Sequence, residues 1–95
     1  MTHAYVYILA SERRGTLHIG VTGNLLRAIK EHKAKKAKIP GAVPDQLVWY
    51  EKYATAEDAV YHAMAFEKWR RVWQLRLVET TNPAWEDLFE QPLRL

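Results

Sequence analysis

The sequence predicts an α+β domain: a three-stranded sheet, antiparallel or mixed, covered by helices in the order β-β-α-β-α-α-α. Three observations carry this. Two aromatic and β-branched runs near the start flank a short polar loop that contains a glycine. A third run of the same kind, Gln46 to Tyr53, lies between two stretches of helical periodicity. Cap and breaker residues stand where those stretches should begin and end.

Residues 4–11, Ala-Tyr-Val-Tyr-Ile-Leu-Ala-Ser, suit a strand by composition. Glu12 to Thr16 forms a polar turn, with Gly15 expected where positive φ is needed, and Leu17 to Thr22 is the second strand. Strands this close pair as an antiparallel hairpin. Asn24 is an N-cap candidate for a helix whose inward stripe is Leu25, Leu26 and Ile29, with Ala28 at its margin, and with Arg27, Lys30 and Lys33 facing out. That helix frays through Lys35-Lys36 into the segment Ile39 to Asp45, where two prolines and a glycine exclude regular structure. In the third strand, alternation sets Leu47, Trp49 and Tyr53 on one face and Val48, Tyr50 and Lys52 on the other.

Thr55 with Asp58 three residues on is a capping-box pattern for a helix from Ala56 to about Lys68. Ala59, Ala63 and Phe66 line one face, beside Val60, Met64 and Glu67. Trp69-Arg70-Arg71 marks a break before a helix from Val72 to Thr80. Asn82-Pro83 has the form of a cap and first position for a last short helix. Trp69, Trp73 and Trp85 are expected as packing anchors.

Ninety-five residues suffice for one domain over residues 1–95 with two packed layers, and any site on it should be shallow. No cysteine is present, which excludes disulfides, thiolate metal sites and a cysteine nucleophile. Met1-Thr2-His3 lacks the basic start of a signal peptide, and the apolar run 4–10 is too short to span a bilayer. The expectation is a soluble, cytoplasmic protein without a membrane partner. The formal charge is only +3, but Arg27, Lys30, Lys33, Lys35, Lys36 and Lys38 crowd one segment, opposed within it only by Glu31. Such a patch suits phosphates, and it equally suits a solvated helix face.

Tyr5-Val6-Tyr7 on the first strand and His18-Ile19-Gly20 on the second resemble the paired motif of the GIY-YIG nuclease family. Tyr5 to Ser11, Ile19-Gly20-Val21-Thr22, Glu31-His32-Lys33, Leu47 to Glu51, Trp69-Arg70-Arg71 and Asn82 to Leu88 are similar to the small stand-alone bacterial members, in order and at matching spacing. The resemblance implies a domain that hydrolyses DNA phosphodiesters with one divalent metal, Mg2+ or another; a domain without activity would need none. Its relatives include homing endonucleases, restriction enzymes and an excision-repair nuclease. In the family's scheme a tyrosine activates or positions the attacking water, an arginine stabilises charge on the phosphate, and a glutamate holds the metal.

By that resemblance the first tyrosine is Tyr7, and the second motif's tyrosine is replaced by His18, which still exchanges a proton near neutral pH. Gly20 and His32 are retained; a side chain at Gly20 would crowd the sheet. The arginine position falls on Ala28 and the metal-holding glutamate on Ala63. A Thr-x-x-Tyr stretch of the family is missing before the third strand. Arg27 is turned about 100° from Ala28 on the helix, whereas Glu67 lies one turn beyond Ala63, about 6 Å along the axis, and is the candidate substitute metal ligand. Arg27, Lys30, His32, Lys33, Lys35 and Lys36 are the candidate nucleic-acid contacts. Arg70 and Arg71 are either a second phosphate contact or a solvated helix end. Packing alone would also account for Tyr7, and His32 and His62 cannot form a metal pair on one helix. Three functions follow as alternatives: a nuclease-type domain with lost or weakened cleavage, a nucleic-acid-binding module without chemistry, or an interaction module.

Overall fold

The computed structural model describes residues 3–38 and 43–90. Its elements are β1 (Ala4–Ala10), β2 (Leu17–Thr22), α1 (Leu25–Lys38), β3 (Gln46–Tyr53), α2 (Ala56–Lys68), α3 (Arg71–Thr81) and a closing 3-10 turn, Leu88–Glu90. The part of the expected irregular connection that covers Ile39 to Ala42 lies outside the described residues.

The sheet order is β2-β1-β3 and both pairings are antiparallel. The central strand is therefore the one richest in apolar residues, and every residue of β1 is buried. Alternation along β1 divides the interior in two. Val6, Ile8 and Ala10 face Ala59, Ala63 and Phe66 of α2 and Leu75 and Val78 of α3. Tyr5, Tyr7 and Leu9 face Leu25 and Ile29 of α1, with Leu47 beside them.

The pairing of β1 with β3 slips between Ile8 and Leu9: Ile8 pairs Trp49, but Leu9 pairs Leu47. Val48 is thus an extra residue in a β-bulge. Val48 and Trp49 consequently both join the α2 and α3 side, while Leu47 and Tyr50 pack on the α1 side. This corrects the strict alternation expected of this strand, because a bulge restarts the period of two.

In the hairpin turn it is Arg14, not Gly15, that takes the left-handed φ, at 55°. Gly15 is required for space: a methyl there would lie 2.7 Å from Glu12 Cγ. Arg71 holds this turn from α3, its Nη2 donating to the Gly15 carbonyl at 2.7 Å and to that of Arg14. This places Arg71 in an intramolecular latch, which is neither of the two roles expected of it, while Arg70 is exposed.

Asn24 and Thr55 cap α1 and α2, accepting from the Arg27 and Asp58 amides at 3.1 Å each. Asn82, however, does not start a helix. It closes α3 and is buried, its Nδ2 donating to the Val48 and Glu86 carbonyls at 3.1 and 2.9 Å while its Oδ1 accepts from the Glu86 amide at 3.0 Å. A side chain committed to tying two segments together cannot also cap a new helix, and only the 3-10 turn follows. Trp85 is buried as expected, but Trp69 and Trp73 are 41% and 52% exposed. They sit at the α2–α3 break on the outer face rather than against the sheet. No helix among the described residues is long and apolar enough to cross a membrane.

Candidate active site

The α1 face of the sheet does not close on apolar residues alone. His18 pairs with Leu9 and Gly20 with Tyr7 across the hairpin, so all four sit on this face. Gly20 leaves the space in which the Tyr7 ring lies, since a Cβ there would run into Cζ and Oη of that ring. The crowding anticipated at Gly20 thus has a specific partner, the phenol.

His32 reaches the same spot from α1, two turns after Leu25. The ring centroids of Tyr7 and His32 are 6.1 Å apart, those of Tyr7 and His18 6.0 Å, and those of His18 and His32 4.7 Å. Tyr7 Oη lies 3.5 Å from His32 Nε2, a long contact, and His32 Nδ1 is buried with no hydrogen-bond partner among the described residues. Three polar rings converge with their bonding capacity mostly unspent, which is unusual in a finished interior.

The surroundings bias each proton. Burial pushes the Tyr7 phenol above its ordinary value, and the Glu31 carboxylate adds to this, so the phenol keeps its proton near neutral pH. Burial lowers His18; the Glu67 carboxylate opposes that and the Lys35 ammonium reinforces it. Burial also lowers His32, as do the charged form of His18 and Lys35, with Glu31 opposing. Both imidazoles are therefore neutral at pH 7 and able to accept a proton. Lys35, Glu31 and Glu67 are the charges that bear on the rings. For Lys35 the sequence signal was its i,i+3 spacing from His32 on α1; Glu31 is the residue before His32, and Glu67 comes from a different helix.

The two alanines lie apart. Ala28 packs against the cluster that holds Tyr7 and lines a cleft of about 410 Å3 with Thr22, Asn24, Arg27 and Glu31. Ala63, only 5% exposed, belongs to the cluster on the opposite face of β1. Ala28 thus lies on the Tyr7 side of β1 and Ala63 on the other side. Glu67, one turn on, is exposed, and it is the α2 carboxylate whose charge reaches His18.

Among the described residues no three His, Asp or Glu side chains converge as a metal-binding group. With Ala63 offering no donor and Glu67 facing an imidazole from another helix, the side chains as placed do not fit a resident metal.

The basic segment is also smaller than its sequence suggests. Lys33 Nζ donates to Asp87 Oδ2 at 2.7 Å, and Lys36 Nζ to Asp45 Oδ1 at 3.0 Å. Arg27 pairs with Glu31 at 3.3 Å. Glu31 is the acid within the segment, and Asp45 and Asp87 are added from later segments. Lys33 and Lys36 tie α1 to the chain around β3, His32 points into the ring cluster, and Lys30, Lys35 and Lys38 carry no ion pair among the described residues. A cleft of about 780 Å3 runs along β3 between Trp49, Lys52, Leu77 and Thr81.

A family model described as the GIY-YIG catalytic domain matches residues 3–81. No curated protein and no solved structure matches the chain.

Proposed function

The chain belongs to the GIY-YIG family, and from that membership we propose that it is a nuclease-type domain directed at DNA phosphodiesters whose cleavage is absent or severely weakened. The carrying observation is the triangle of Tyr7, His18 and His32 with Ala28, not a guanidinium, packed beside it. The rings offer what a phosphodiester needs for proton transfer: neutral imidazoles to take a proton from water, and a protonated phenol to orient it. What is missing is charge. The family positions for arginine and for the metal-holding glutamate are Ala28 and Ala63, and neither methyl can stabilise a pentacovalent phosphate.

Losing one such charge partner costs about 10²- to 10³-fold in rate. Lys35 is the cation whose field reaches both imidazoles, but it is an exposed, flexible ammonium and not a bidentate clamp. Family chemistry generally depends on a divalent metal such as Mg2+, and the donor arrangement around Ala63 and Glu67 argues against its retention in this chain.

Supercoiled plasmid incubated with excess protein and magnesium or manganese tests this. The expected result is nicking at or near background. Robust nicking abolished by a chelator would overturn it.

A second function, nucleic-acid binding without chemistry, is favoured by Lys30, Lys35 and Lys38 along α1, which have no ion pair among the described residues. Binding through three phosphate contacts should give a slope of log Kobs against log salt of about −2.7, since each contact contributes about −0.9. Gel-shift titrations at two salt concentrations measure it, and salt-independent binding or none would remove that function.

A further inference from the structure

Trp69 and Trp73 are half-exposed although the domain has an apolar interior that holds Trp49 and Trp85. The two outer indoles line one slot of about 280 Å3. Each is held in place. Phe66 meets Trp69 edge to face at a centroid distance of 4.8 Å, and the Arg76 guanidinium lies over the Trp73 ring at 5.0 Å.

The stretch that carries them is basic, with Glu67 just before it. From Lys68 to Arg76 the chain carries Lys68, Arg70, Arg71 and Arg76 and no acidic residue. Arg71 is spent on the hairpin turn, which leaves Lys68, Arg70 and Arg76 exposed beside the indoles.

Flat aromatic faces with cations at their edges match one ligand chemistry closely: a nucleobase that stacks, joined to a phosphate that pairs. A second copy of this chain fits poorly, because a two-fold contact sets a patch against itself and would bring these cations together.

We propose that Trp69 and Trp73 form a stacking platform for unpaired bases of single-stranded nucleic acid. The platform rests on the nucleic-acid function proposed above and refines it: the preferred strand has unpaired bases next to the engaged phosphate.

The test is anisotropy of a labelled oligothymidylate, set against a labelled abasic strand of equal length, with the full chain. Wild type should bind the base-bearing strand at least about 5-fold tighter, and Trp69→Leu or Trp73→Leu should each weaken that binding by about 5- to 100-fold. Trp73→Phe should keep most of it, and the abasic strand should be indifferent to all three changes. Equal wild-type affinity for the two strands overturns the platform without any variant having to fold. So do Leu variants that fold by circular dichroism and bind as wild type does, or that lose both strands equally. Sedimentation in which the Leu variants dissociate a wild-type dimer while strand binding is unchanged would assign the face to self-association and overturn it too. A protein that binds DNA with the platform so overturned keeps the function proposed above; one that binds no strand at all loses both.

Discussion

The two faces of β1 differ in how completely they are closed. Val6, Ile8 and Ala10, all 0% exposed, meet α2 and α3 in an apolar layer. One residue along in each case, Tyr5, Tyr7 and Leu9 meet α1, and there the apolar layer gives way to two imidazoles, one of which has a buried nitrogen with no hydrogen-bond partner among the described residues. The same strand thus supplies apolar packing on one side and meets polar rings on the other. The closed face holds the domain together, and the open face leaves polar groups unsatisfied at some cost in stability.

That contrast can be broken by substitution. Ile8→Ala on the closed face should cost about 2–5 kcal/mol in urea unfolding, from lost burial and the cavity left behind. Asn82→Ala should cost about 1–3 kcal/mol, because it strips hydrogen bonds from buried or part-buried partners at Val48 and Glu86. Gly20→Ala should cost about 1–3 kcal/mol by overpacking against the Tyr7 ring, and that penalty should shrink in a Tyr7→Leu background. Tyr7→Phe, on the open face, should cost less than about 1 kcal/mol, since its one hydrogen bond is long at 3.5 Å. If Tyr7→Phe proved as damaging as Ile8→Ala, the open face would be structural and the contrast false.

The smallest effect is on pH dependence. The folded-state value of His32 is lowered, so the unfolded chain takes up the proton first as pH falls. Its contribution is full above the ordinary imidazole value of about 6.5 and is lost as pH drops through the lowered folded value. Urea midpoints at pH 7.5 and 5 should therefore differ less in His32→Gln than in wild type.

Much of this contrast is visible in the sequence, and the exceptions share a cause. Strand bounds, both N-caps and the break at Trp69-Arg70 follow from local preference, and local preference acts within a few residues. The bulge at Val48 depends on how β3 meets β1, which no alternation within β3 can encode. Lys33 reads as a surface charge until Asp87 arrives from 54 positions away. Asn82 and Pro83 carry a good helix-start signal that long-range bonds to Val48 and Glu86 override. Trp69 and Trp73 look like core by size alone, yet they fall where α2 has ended and no sheet surface remains. In the site, Tyr7, His18 and Gly20 were legible as a motif, whereas the meeting of His18 with His32 and the reach of Glu67 required the fold.

The central claim is that Tyr7, His18 and His32 face the phosphate of a bound strand. Titration of the histidine ring resonances by NMR, with and without a short oligonucleotide, tests it most directly. Both His18 and His32 should titrate below the ordinary imidazole range in the free protein, and both midpoints should rise when the strand is added, because a nearby anion favours the imidazolium. Changes confined to His3 and His62, with His18 and His32 unmoved while the strand is bound, would contradict the account.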